Sequence, residues 1–273
     1  MSRSLPRLCS VPLWGKVLMG ALAALTLGLL LIAQAHAQPQ DLRRSGFQDM
    51  TPSTQAMQRD DTANPGMLTV QDGEALWNKP AGTSGKSCVA CHAQAASSMR
   101  GVAARYPAFD AALARPITLS QRINQCRQQH QQGAPLKPES QDLLALEAFV
   151  ALQSRGLPIA PSDDPRMAPA RALGQALWQQ RIGQINLSCT QCHDAQAGRK
   201  LAGSLIPQAH PTGYPIYRLE WQGMGSLQRR IRGCMSGVRA EPYAFDAQEL
   251  VALEAYLAVR AKGMPLESPG VRP

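Results

Sequence analysis

Aromatic residues make up only 5% of this 273-residue chain, so its core has to lean on Leu and Ala rather than on packed rings. Long hydrophobic runs are also scarce. After about residue 32 no stretch is apolar enough to cross a bilayer, which excludes a multi-span membrane protein. Acidic residues are in the minority, with 19 Asp and Glu against 28 Lys and Arg and a formal net charge of +9. No basic-aromatic pattern accompanies that surplus. That absence argues against nucleic acid, while the surplus itself suits an acidic protein partner or an anionic substrate.

The one hydrophobic run stands at the start. Arg3, Arg7 and Lys16 precede an apolar stretch from about Val17 to Ile32, followed by Ala35-His36-Ala37. Basic region, hydrophobic region and A-x-A site in that order predict a secretory signal over 1–37, cleaved after Ala37. The expected location is the periplasm, with no membrane span after cleavage. Cys9 would leave with the signal. About 236 residues remain, carrying a formal charge of +6.

Two pentapeptides then carry most of the information: Cys88-Val89-Ala90-Cys91-His92 and Cys189-Thr190-Gln191-Cys192-His193. C-x-x-C-H is the attachment signature of c-type haem, in which each thiol forms a thioether to a vinyl group and the adjacent His ligates the iron. A single copy could be a zinc or redox pair beside an unrelated His. Two copies predict two covalently bound haem c groups, with Cys88, Cys91, Cys189 and Cys192 as attachment points and His92 and His193 as proximal ligands. Haem also supplies apolar area to domains that are poor in aromatics.

The motifs belong to a longer repeat. Gly73-Glu74-Ala75-Leu76-Trp77 returns as Gly174-Gln175-Ala176-Leu177-Trp178, displaced by 101 residues like the motifs themselves. Tyr106-Pro107 and Arg122-Ile123-Asn124-Gln125-Cys126 return at 108 as Tyr214-Pro215 and Arg230-Ile231-Arg232-Gly233-Cys234. Leu146-Glu147-Ala148-Phe149 returns at 107 as Leu253-Glu254-Ala255-Tyr256. One order with a small net insertion means a duplicated domain. The expected fold is all-α, with two tandem cytochrome c-type domains. Helical spacing of apolar residues predicts closing helices over about 141–152 and 247–259, stopped by Gly156 and Gly263. The expected organisation is an N-terminal arm over 38–65, domains over 66–157 and 167–265, a Pro-rich linker over 158–166 and a tail over 266–273.

The sixth iron ligand is less direct. Met99 follows His92 too closely to reach the far haem face, which leaves His130 and Cys126 in the first unit. Met224, Met235, His210 and Cys234 compete in the second. Only Cys126 and Cys234 correspond across the repeat, 34 and 41 residues after their proximal His. A disulfide joining them is the alternative in an oxidising compartment. Thiolate ligation would lower the haem potential and leave a nucleophilic sulfur at the haem edge, which suits sulfur chemistry better than simple electron carriage.

With these residues in hand, the chain resembles the dihaem SoxA family of the sulfur-oxidation (Sox) cytochrome complex, the L-cysteine S-thiosulfotransferases. The paired C-x-x-C-H motifs, the distal Cys in each unit and the run from Arg230 to Pro242, with Arg-Ala-Glu-Pro after Cys234, carry the resemblance over about residues 45–265. It implies His92 and Cys126 on one iron, and His193 and Cys234 on the other. Cys234 would be the catalytic sulfur, carried as a persulfide, and Arg230 would hold the anionic substrate. The implied reaction is oxidative coupling of thiosulfate to a cysteine of the carrier SoxYZ, with electrons leaving through haem to the monohaem partner SoxX.

A guanidinium fork suits the sulfonate end of thiosulfate, and Arg230 and Cys234 at i and i+4 share a helical face. Arg122 stands likewise before Cys126, and pairing with haem propionates is the other duty open to both arginines. Arg229, Arg232 and Arg239 crowd Cys234, whereas Arg127 alone flanks Cys126, which favours the second unit as the catalytic one. Two other functions compete: a thiosulfate dehydrogenase forming tetrathionate, and a non-enzymatic dihaem electron carrier.

Overall fold

The computed structural model describes residues 41–273. The expected signal over 1–37 and the start of the arm lie outside the described residues. Ten α-helices and seven very short strands are described. After α1 (Pro52–Arg59), the first half runs α2 (Gly66–Asn78), α3 (Cys88–His92), α4 (Ala95–Ser98), β1 (Ala108–Asp110), β2 (Arg115–Ile117), α5 (Leu119–Cys126) and α6 (Gln141–Leu152). The second half repeats this order, except that a short hairpin stands where the first half has α4. It runs α7 (Ala168–Gln179), α8 (Cys189–His193), β3 (Lys200–Leu201), β4 (Ser204–Leu205), β5 (Ile216–Arg218), β6 (Gly223–Gly225), α9 (Leu227–Gly237) and α10 (Gln248–Arg260). A last strand, β7 (Gly270–Arg272), closes the chain.

Each half is built on a crossing of its first and last long helices. A Cβ on Gly73 would stand 2.0 Å from the Ala145 carbonyl oxygen, and one on Gly174 would stand 2.0 Å from that of Ala252. The two helices therefore meet backbone to backbone, and only glycine permits it. The crossing places Trp77 and Trp178, one turn further along, in the two cores. Trp77 packs among Val70, Leu119, Leu144, Ala148 and Phe149, and Trp178 among Leu250, Leu253 and Leu257.

Short antiparallel hairpins lead into α5, which ends at Cys126, and into α9, which carries Cys234 in its last turn. Asp110 faces Arg115 across β1–β2, and Arg218 faces Gly223 across β5–β6. Segments expected to be peripheral are integrated. The 38–65 arm contains α1, whose Gln58 accepts the backbone N–H of Val271 at 2.9 Å. Residues 266–273, read as a tail, contain β7, which pairs parallel to β5 and buries Val271 completely. Three-residue strands are too short to show an alternating pattern, so neither these strands nor the tail's role could be read from periodicity. The linker is also stitched down: Ile159 and Leu266 donate backbone hydrogen bonds to Met264 and Leu157 at 2.8 and 2.9 Å. Among the described residues no helix is long and apolar enough to cross a membrane.

Candidate dihaem site

Each C-x-x-C-H motif forms a short helix. Ser87 caps α3 by accepting the Ala90 N–H at 3.3 Å, and Ser188 with Gln191 makes a reciprocal cap on α8. The helical turn brings both thiols and the imidazole of a motif together. The crossing-helix tryptophans then fix the imidazoles: ring centroids lie 5.7 Å apart for Trp77 and His92, and 5.6 Å apart for Trp178 and His193. His193 Nδ1 lies 2.7 Å from the Pro207 carbonyl oxygen. As that partner only accepts, Nδ1 carries the proton and Nε2 is left with a free lone pair for a metal. Burial lowers the pKa of this imidazole and Arg230 adds to the effect, favouring the neutral form that ligation requires.

The distal cysteines end up beside the same motifs because the haem-motif loop is clamped to the end of the distal helix in both halves. Thr83 and Ser84 donate to the Gln132 and Gln131 carbonyls at 3.4 and 3.2 Å, and Gln184 and Ile185 to those of Arg239 and Val238 at 3.3 and 3.4 Å. Gly82 and Gly183, at φ +63° and +69°, allow the approach, since a Cβ would stand 2.0 and 2.1 Å from a carbonyl oxygen. Burial raises the Cys126 thiol, with Cys91 adding to the rise and Arg122 opposing it. Burial pushes the Cys189 thiol up to about 11, and Cys234 is the largest neighbouring contribution. Thus Cys126 shares its surroundings with Cys88 and Cys91, and Cys234 with Cys189.

The other ligand candidates are placed elsewhere or otherwise engaged. His130 is exposed, Met224 is buried in the first half's core, and Met235 is buried on α9. His210 is engaged through Nδ1 with the Arg44 carbonyl oxygen at 2.8 Å. All six described cysteines are free thiols. Paired thiols on one helical turn, an adjacent imidazole, surrounding apolar side chains and a thiol nearby fit a covalently attached haem in each half, and in the second half His193 Nε2 is left free to bind it.

The arginines differ sharply in their engagement. Arg229 lies 4.1 Å from the Trp221 ring centroid and Arg232 lies 4.4 Å from that of Phe245. Arg239 is exposed, at φ +57°. Arg122 forms an ion pair with buried Asp110 at 2.6 Å, whereas the Arg230 guanidinium has no hydrogen bond or ion pair among the described residues. Sequence reasoning missed Asp110, the Pro207 carbonyl and the tryptophan contacts. Of these, only Asp110 left a trace, since the residue 108 positions on is Arg218.

A crossing-helix fold that carries two haem-attachment motifs is a c-type cytochrome with two haem groups. Residues 72–159 and 173–266 match the sequence model of the SoxA/TsdA cytochrome c domain. The chain is 37% identical to the L-cysteine S-thiosulfotransferase subunit SoxA of Pseudaminobacter salicylatoxidans, over 88% of this chain and 84% of that one. It is 31% identical to the SoxA subunit of Paracoccus pantotrophus, over 93% and 97%. Its structure aligns with a crystal structure of SoxXA from P. pantotrophus at a TM-score of 0.82 and 31% identity, covering 85% of this chain and 87% of that one. The chain belongs to the SoxA family.

Proposed function

We propose that this chain is the dihaem subunit of an L-cysteine S-thiosulfotransferase. It couples thiosulfate oxidatively to a cysteine of the carrier SoxYZ, in the periplasm and in complex with the monohaem cytochrome SoxX. His92 and Cys126 hold the first haem iron and His193 and Cys234 the second, with Cys88, Cys91, Cys189 and Cys192 as the covalent attachments. The functional units are 66–157 and 167–265. When bound, haem would supply the redox chemistry by which the electrons released in the sulfur reaction leave toward the partner cytochrome.

The chain's own residues account for the rest. Arg230 offers an unengaged guanidinium one helical turn before Cys234, and its fixed charge and fork geometry suit a sulfonate oxygen pair. Holding the dianion there directs its outer sulfur at the Cys234 sulfur. In the net reaction one S–S bond forms between thiosulfate and the carrier thiol, one thiol proton is released, and two electrons depart. Arg229 and Arg232, stacked on aromatic rings, keep a positive field around the site without competing for the anion.

The single observation that carries this reading is the contrast between the two arginines: Arg122 is ion-paired, whereas the Arg230 guanidinium has no hydrogen bond or ion pair among the described residues. The complex, thiosulfate and reduced SoxYZ should yield SoxYZ heavier by one thiosulfate, with partner haem reduced in step. Tetrathionate formed equally well without the carrier would contradict the proposal and favour a thiosulfate dehydrogenase.

A further inference from the structure

The duplication makes each half a control for the other. Arg122 is held on three sides: Nε donates to the Tyr106 hydroxyl at 3.2 Å, Nη1 donates to Gln125 Oε1, and Nη2 pairs with Asp110 Oδ2 at 2.6 Å. The Asp110 side chain is only 4% exposed. Its carboxyl is held below the usual range by the Leu113 backbone N–H first, then by Gln125 and Arg122. It is therefore ionised, and the charge of Arg122 is consumed within the protein.

At the offset of 108 that relates Cys126 to Cys234, Tyr106 returns as Tyr214 and Arg122 as Arg230. The other two partners do not return. Asp110 becomes Arg218, the third residue of β5 as Asp110 is of β1, and Gln125 becomes Gly233. Gly233 is exposed on α9, and a Cβ there would meet nothing within 4 Å. Packing around the Cβ position does not demand glycine there. Arg218 pairs with the exposed Glu220 at 2.8 Å and lies 5.2 Å from the Trp221 ring centroid, while its Nε is buried with no acceptor. Arg218 and Arg230 both act electrostatically on Tyr214.

We propose that these two exchanges decide which half takes the anion. Asp110 and Gln125 silence Arg122, while Arg218 and Gly233 leave the charge and donors of Arg230 open to a dianion beside Cys234. Arg218 and Gly233 are thus positioning residues for thiosulfate, acting through Arg230. The inference rests on the reading that Arg230 binds the substrate. Removing the ionised partner matters more than removing the amide, because a buried carboxylate holds a guanidinium with both charge and geometry.

The test compares three variants of the complex with its monohaem partner: Arg230→Ala, the double variant Arg218→Asp with Gly233→Gln, and Arg218→Lys. Rates are measured against thiosulfate concentration, with the haem spectrum as a check on folding and ligation. The double variant is expected to raise KM at least about tenfold, the scale of a hydrogen bond to a charged group, with kcat and spectrum little changed. Arg218→Lys keeps the charge and should retain the low KM of the parent, which a purely structural role on Trp221 would not allow. If Arg230→Ala raises KM and the double variant does not, the inference is overturned while the role of Arg230 stands. An unchanged KM in Arg230→Ala overturns that role and this inference together. Should the double variant fail to load haem, Gly233→Gln and Arg218→Asp are measured singly, and an unchanged KM in both overturns the inference.

Discussion

Cys234 combines two properties that the chain separates elsewhere: a thiol beside a haem-attachment motif and an unengaged cation one turn before it. Arg230→Ala is expected to raise KM for thiosulfate about ten- to a hundredfold, while the equivalent Arg122→Ala should leave it within roughly threefold. Steady-state rates at varied thiosulfate check both. The Cys234 peptide from the purified protein should carry about 32 Da of extra sulfur, removable by a thiol reductant, and the Cys126 peptide should not. The two C-x-x-C-H motifs and the corresponding pair Cys126 and Cys234 stand out at this scale because spacing and repetition mark them. Asp110 and the Pro207 carbonyl were not, since an ion pair across a hairpin and a backbone acceptor leave no local pattern.

At the scale of elements, the repeated Gly-x-Ala-Leu-Trp segment has a mechanical meaning. Gly73 and Gly174 let the crossing helices touch, and that contact fixes the tryptophans that pack against His92 and His193. Gly73→Ala or Gly174→Ala would drive a methyl group into a carbonyl oxygen and should destabilise by about 1–3 kcal/mol. Denaturant titration of the haem-loaded protein would measure it. The closing helices were legible from apolar spacing, and the structure gives Gln141–Leu152 and Gln248–Arg260. Helix α1, strand β7 and the hairpins were not. Their polar, short or Pro-bearing sequences take their structure from tertiary pairing, such as Gln58 with Val271.

At the scale of the whole molecule, the repeat also brings its two halves face to face over acidic groups. A cavity of about 100 Å³ between them is lined by Tyr106, Tyr214, Glu139, Glu147, Asp246 and Glu254. Glu147 and Glu254 are equivalent in the repeat. Burial, reinforced by the neighbouring carboxylates, pushes Glu147 up to about 8 and Glu254 up to about 7. Gln228 donates to Glu254 at 2.8 Å, Arg229 lies 4.0 Å from Glu139, and Arg115 acts on Asp246. Since folding raises both glutamates above the ordinary value, their contribution to stability is full below about pH 4.5. It is lost as pH rises through 7 and 8. The Glu147→Gln, Glu254→Gln double variant should therefore melt higher than the parent at pH 8. Each site is expected to contribute on the order of 1 kcal/mol, and each kcal/mol corresponds to roughly 2–4 °C for a chain of this size. Thermal melts at pH 5 and pH 8 check this, and an equal difference at the two pH values would contradict it.

The measurement closest to the centre of the mechanism is the thiosulfate- and SoxYZ-dependent rate of the complex with Cys126→Ser and with Cys234→Ser, each shown to retain both haem groups. The expected result is a loss of about a thousandfold or more for Cys234→Ser, with Cys126→Ser within roughly threefold of the parent. Equal losses, or activity that survives without the Cys234 sulfur, would contradict a catalytic centre in the second half.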